Sequence, residues 1–251
     1  MHKFGRYLFI THIMTFSKNI PNCITLLNLL SGCLAVVFVA NNDFETAFYL
    51  VCLGIFFDFF DGFFARLLKV TSPLGLQLDS LADMVTSGVA PGFLMYKFLA
   101  QDFGSSSYVP FVAFVITLGA CYRLANFNID VRQGDSFIGL PTPANALFFM
   151  SIPLWITDFY VVFSDVNTTF VLYFLVSSCF VSAYIMNAEI PLFSLKIKTS
   201  SLKKNKLQVG FLLFSMLLLA LLKVAAVPAI IVFYVLFSVF NNFFASSKIG
   251  N

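Results

Sequence analysis

The sequence predicts an all-α polytopic membrane bundle of about eight transmembrane helices: a six-helix core and two C-terminal helices. Three observations carry this. Of 251 residues, 59% are hydrophobic and only 11% are charged, against roughly 25% charged in a soluble domain. Mean hydropathy is +0.90. The apolar runs are continuous over about 20 residues, the length a spanning helix needs. A barrel would instead alternate along strands of about 10 residues.

The elements follow in order. Residues 1–22, "MHKFGRYLFITHIMTFSKNIPN", hold a short apolar part interrupted by His12, with no small-residue cleavage site after it. They are expected to lie on the cytoplasmic membrane surface. Residues 23–195 form the expected core. Its spans run near 23–40, 46–68, 78–99, 109–127, 144–163 and 168–187. A basic loop, 196–206, contains "KIKTSSLKKNK". Residues 207–251 hold the last two spans, near 207–222 and 224–244, and a tail. With the N-terminus inside, every Lys and Arg except Lys97 and Lys223 falls on the cytoplasmic side, as the positive-inside rule requires. An odd number of spans would break this pattern. The two halves share no spaced motif, which weighs against an inverted-repeat transporter.

The five cysteines lie in apolar stretches without a CxxC pair, and both histidines lie near the N-terminus. They read as small hydrophobes, and zinc chemistry is not expected. No nucleic-acid partner is expected either.

The costly residues are Asp58, Asp61, Asp79 and Asp83 in "DFFDGFFARLLKVTSPLGLQLDSLAD". Asp58, Asp61 and Ala65 fall at i, i+3 and i+7, on one helical face; Asp79 and Asp83 are i and i+4 on the next helix. Pro73 and Gly75 in the link permit a turn. Two antiparallel helices therefore present a carboxylate pair each toward one point near the cytoplasmic end. Carboxylates that close repel one another unless a cation intervenes. Oxygen-only ligands favour Mg²⁺, Mn²⁺ or Ca²⁺, and Mg²⁺ typically shares carboxylates with substrate phosphates. Gly62 and Ala65 are small enough for a ligand to approach the helix, Gly75 lets backbone come near it, and Arg66 and Lys69 are placed to hold phosphate oxygens. Two other readings are simple pairing of the acids with Arg66, Lys69 and Arg123, and an ion-translocation path. The first has too few cations for four acids. The second expects acids spread through the membrane depth.

The full order, D-x₂-D-G-x₂-A-R-x₈-G-x₃-D-x₃-D, is met by Asp58, Asp61, Gly62, Ala65, Arg66, Gly75, Asp79 and Asp83. It resembles the CDP-alcohol phosphotransferase family, also called CDP-alcohol phosphatidyltransferases. The resemblance implies a membrane enzyme that cuts a CDP-linked lipid at its pyrophosphate, using Mg²⁺ or Mn²⁺. A hydroxyl of the acceptor attacks and CMP leaves. It implies metal ligation by Asp58, Asp61, Asp79 and Asp83, a general-base role for Asp83, and contact of Gly62, Ala65 and Arg66 with the CDP group. Family members are often homodimers.

"IPNCITLLNLLSGCLAV" (20–36), "LDSLADMVTSGVAPG" (78–92), "RLANFNI" (123–129), "FIGLPTPANA" (137–146) and "IPLFSLKIK" (190–198) look like the phosphatidylserine synthase branch. The branch implies CDP-diacylglycerol and L-serine as substrates, and an inner-membrane enzyme whose site faces the cytoplasm. Glycerol 3-phosphate or an inositol phosphate is the rival acceptor. Only Arg123 and Arg132 are cationic between Lys97 and Lys196, which favours an acceptor of little negative charge.

Pro21 and Asn22 can simply start the first helix, or Asn22 and Thr25 can touch the nucleotide. Asn28 lies inside a span and needs a partner, from a ligand or another helix. Arg123 is expected to face the site and bind an anionic group. Pro141 and Pro143 are expected to fix a turn that begins the fifth span.

Overall fold

The computed structural model describes residues 2–103, 107–130, 137–162, 168–192 and 206–247. The chain is a bundle of long helices. These are α1 (His2–Ala40), α2 (Phe44–Leu68), α3 (Pro73–Asp83), α4 (Ala90–Phe103), α5 (Phe114–Ile129), α6 (Thr142–Val162), α7 (Thr168–Asn187), α8 (Lys206–Leu222) and α9 (Ala226–Ser247). The only strand pairing among the described residues is a two-residue antiparallel bridge of β1 (Phe137–Ile138) with β2 (Pro191–Leu192). The all-α membrane class expected from composition is what the chain adopts.

Five described stretches are long and apolar enough to cross a bilayer: Asn19–Ala40, Phe44–Leu68, Val109–Ile129, Thr169–Asn187 and Gln208–Phe240. The last is 33 residues long, more than one crossing needs. It breaks at Lys223, whose φ is 51°, and α8 folds back on α9. Phe211 stacks on Phe233 with ring centroids 6.2 Å apart. The basic loop expected at 196–206 lies outside the described residues as far as 205, as do Arg132 and the final residues.

α1 and α2 meet along a seam with a seven-residue repeat. On α1 the buried residues of this seam are Pro21, Thr25, Asn28, Gly32, Ala35 and Val39, with Ser31 buried beside them; on α2 they include Ala47, Val51, Gly54 and Asp61. The spacing alternates between three and four, which keeps one stripe facing a partner helix crossed at a shallow angle. Small residues on both sides let the backbones approach, as membrane helices require. Asp58 and Asp61 continue this stripe. The acids therefore lie on the packed side of α2, while Phe56, Phe59, Phe63 and Leu67 lie exposed on the other.

Two sequence expectations are corrected here. α1 does not start at Pro21; it is one helix of 39 residues with Pro21 inside. A proline is tolerated in a membrane helix where other groups satisfy the freed backbone. The third rod begins at Pro73 rather than Leu78, so Gly75 lies in its first turn and not in a loop. Ser72 caps α3, its hydroxyl accepting from the Gly75 N–H at 3.0 Å, with Pro73 at the first helical position. That is helix-start chemistry. The true link is Lys69–Ser72. Lys69 adopts a left-handed conformation (φ 54°), and the Val70 N–H bonds back to the Ala65 carbonyl at 3.0 Å, the closure of a Schellman motif.

After Asp83 the rod widens into a π-turn, Met84–Val89, before resuming as α4. The expected turn before α6 is present. Gly139 there has φ +74°, and any Cβ would collide with the Met186 carbonyl oxygen.

Candidate functional site

Asp58 and Asp61 come from α2 and Asp79 from α3. Their carboxylate oxygens lie within 4.8 Å of one another. As the helical spacing predicts, two helices from opposite sides of a four-residue link bring their acids together. Asp83, the last residue of α3, stands outside this group of three. Its Oδ1 accepts from Asn28 Nδ2 at 3.0 Å. Asp61 Oδ2 accepts from Thr25 Oγ1 at 2.5 Å. α1 thus supplies one donor to an acid of each neighbouring helix, from positions i and i+3 of its own seam.

Among the described residues, no lysine or arginine forms an ion pair with these four acids. Arg66 is exposed, with Nη1 3.2 Å from where a Cβ on Gly62 would be. Lys69 is exposed at the end of α2. Two ionised carboxylates at this separation repel by about 3 kcal/mol at an effective dielectric of about 20. Simple pairing with basic side chains therefore does not account for the cluster. The donor set is all carboxylate oxygen, and it fits Mg²⁺ or Mn²⁺ better than zinc or copper.

Beside the acids opens a cavity of about 510 Å³, in the range of small-molecule sites. Its walls come from three helices and the link. Pro21, Asn22 and Thr25 stand on α1; Asp61, Gly62 and Ala65 on α2; Val70, Thr71 and Ser72 in the link; Pro73, Gly75, Leu76 and Asp79 on α3. Of the expected site residues it gathers Asn22, Thr25, Asp61, Gly62, Ala65, Gly75 and Asp79. Arg66, Lys69 and Arg123 do not line it. Arg123 is 8% exposed, and its Nη2 donates to the Gly139 carbonyl at 3.4 Å. The link residues Thr71 and Ser72 were not singled out from sequence. The Ser-Pro helix start was the signal that placed them beside Gly75.

Fold and site define a class: an integral membrane protein that gathers a carboxylate cluster suited to a hard divalent cation beside a ligand-sized cavity. The chain belongs to the CDP-alcohol phosphatidyltransferase family, whose model matches residues 18–164. The match covers α1 from its middle through α6, including every acid of the site.

Named relatives agree with this. A Helicobacter pylori (strain J99) CDP-diacylglycerol–serine O-phosphatidyltransferase is 39% identical over 129 residues, 51% of this chain and 54% of that protein. A Bacillus subtilis protein of the same name is 38% identical over 128 residues, 49% of this chain and 69% of the relative. An archaetidylserine synthase from Methanothermobacter thermautotrophicus is 32% identical over 155 residues, 61% of this chain and 63% of the relative. The matched stretch spans about half the length of the Helicobacter relative.

Proposed function

We propose that this chain transfers the phosphatidyl group of CDP-diacylglycerol to L-serine, giving phosphatidylserine and CMP. The observation that carries the reading is the group of Asp58, Asp61 and Asp79 opening on a cavity, with Asp83 one turn beyond Asp79 on α3. Serine appears in the names of relatives from bacteria and archaea alike, which favours it over glycerol 3-phosphate or an inositol phosphate.

In this reading the cytidine diphosphate lies against Asn22, Gly62, Ala65 and Gly75, where small side chains let it reach the helix backbones. Arg66 and Lys69 reach back from the water-facing end of α2 to phosphate oxygens. Asp58, Asp61 and Asp79, with Asp83 as a further ligand, would hold a divalent ion, which would supply charge neutralisation at the pyrophosphate. Asp83 takes the proton of the serine hydroxyl. The serine oxygen forms a bond to the phosphorus attached to the diacylglycerol oxygen. The bond from that phosphorus to the bridging oxygen breaks, and CMP leaves with the electron pair. Arg123 receives the serine carboxylate or the lipid phosphate. The chain works as a multi-pass protein of the cell inner membrane, its site on the cytoplasmic side, in keeping with the basic bias of the loops on that side.

The test is direct. Purified protein in detergent receives CDP-diacylglycerol, Mn²⁺ or Mg²⁺, and each candidate alcohol in turn. Serine-dependent CMP release that vanishes in Asp79→Asn is expected. CMP release with glycerol 3-phosphate alone would remove serine and leave the family standing. No release with any acceptor from folded protein would remove the transfer reading.

A further inference from the structure

Thr25, Asn28 and Gly32 sit on the α1 seam, three and four residues apart. Each meets the acid-bearing elements: Thr25 bonds Asp61, Asn28 bonds Asp83, and Gly32 packs on Thr86 of the π-turn. Asn28 differs from the other two. It is 0% exposed, and only one end of its amide is used. Nδ2 donates to Asp83, while Oδ1 has no hydrogen-bond partner.

We propose that Asn28 is a positioning residue for the transfer: its amide fixes the carboxylate of Asp83 so that this acid is presented to the acceptor hydroxyl. The proposal rests on the transfer reading above. Three observations support it.

The amide has nowhere else to go. A Cβ on Gly54 would lie 2.9 Å from Asn28 Oδ1 and 2.6 Å from Thr86 Cγ2, so α2 closes tightly over it. Thr86 Oγ1 donates to the Asn28 carbonyl at 3.1 Å, which ties the π-turn to the same point of α1. Packing from three elements therefore sets where Nδ2 points.

The residue is a poor choice for stability. A buried acceptor left without a donor is a net cost, and a leucine of similar shape would remove it. Sequences keep such local conflicts mainly at functional sites. Here the one bond that is made goes to an acid of the site.

Asp83 also needs the help. It stands outside the group formed by Asp58, Asp61 and Asp79, and it sits where α3 gives way to the π-turn. Neighbouring carboxylates do not hold it in place. A neutral amide orients it without adding charge to the site.

The experiment compares two variants with the wild-type chain in detergent, reading CMP release from CDP-diacylglycerol and serine. Asn28→Leu keeps the branched outline of the side chain and removes the donor. Thr117→Val removes another hydroxyl bonded to the same π-turn, at the Gly88 carbonyl 2.9 Å away. Asn28→Leu is expected to lower kcat by about 10–100-fold, the usual cost of losing a partner that orients a site ligand. KM for both substrates should stay within about twofold, the signature of an interaction used only in the transition state. Thr117→Val should keep the wild-type kcat.

Wild-type kcat in Asn28→Leu overturns the proposal. So does a loss that appears in KM, or an equal loss in Thr117→Val. If Asn28→Leu does not fold, Asn28→Ser takes its place under the same criteria. Wild-type protein that releases no CMP removes the transfer reading and this proposal with it. A silent Asn28→Leu beside an active wild type removes the proposal alone.

Discussion

Thr25 on α1 holds Asp61 on α2 through a hydroxyl–carboxylate contact of 2.5 Å. The same hydroxyl lies 3.0 Å from the Pro21 carbonyl, but it has one proton to give, and the carboxylate is the stronger acceptor. Asp61 is thereby oriented by a helix that carries no acid of its own.

Thr25→Val keeps the shape and removes the donor. We expect the Mn²⁺ concentration needed for half-maximal CMP release to rise by about 10–100-fold, the usual effect of losing an outer partner of a metal ligand. A Mn²⁺ titration of activity checks it.

Asp79 and Asp83 lie one turn apart and should fail differently. Asp79→Asn breaks the three-acid group and should abolish high-affinity Mn²⁺ binding. Asp83→Asn should retain measurable Mn²⁺ binding while kcat falls by about 10²–10⁴-fold, the contribution of a positioned base. Electron paramagnetic resonance of Mn²⁺, read beside CMP release, separates the two.

Gly75 marks the cavity wall. A Cβ there would sit 3.2 Å from both Asn22 Oδ1 and Ser72 Oγ. Gly75→Leu should fill the nucleotide space and raise KM for CDP-diacylglycerol at least about tenfold, or 1.4 kcal/mol.

Gly32 tests packing away from the chemistry. A Cβ there would lie 2.9 Å from the Cα and N of Thr86, and backbone atoms cannot swing aside. Gly32→Ala should destabilise by about 1–3 kcal/mol, or roughly 2–12 °C in Tm at this chain length. A melting curve in detergent measures it.

The acids were legible in the sequence because helical spacing is a local property. Asp58 with Asp61, and Asp79 with Asp83, needed only the helical repeat to be placed on common faces. The start of α3 was not legible in the same way. Ser72-Pro73 serves a turn as readily as a helix cap, and only the tertiary position of the chain decides between them. Pro21 misled for a related reason: a proline that would end a soluble helix is carried inside a membrane one. Arg66 is placed near the acids by sequence, and its guanidinium does fold back over Gly62 in the cavity wall, although Arg66 does not itself line the cavity. The partner of Asn28 lies 55 residues along the chain. No local pattern announces a contact of that kind, though an asparagine within an apolar run already signals that one exists.

The π-turn makes the site depend on counting as well as on chemistry. Met84–Val89 holds one residue more per turn than the helices on either side, so the faces of α3 and α4 are out of phase with a uniform rod. Deleting any single residue from this stretch would let the rod close into plain α-helix. Asp79 and Asp83 would then rotate by about 100° relative to the buried Ala90, Leu94 and Met95 that anchor α4. Every side chain of the site would still be encoded, and the acids would point at a different neighbour. Length variation, harmless in a loop, is therefore as damaging in these six residues as the loss of a carboxylate.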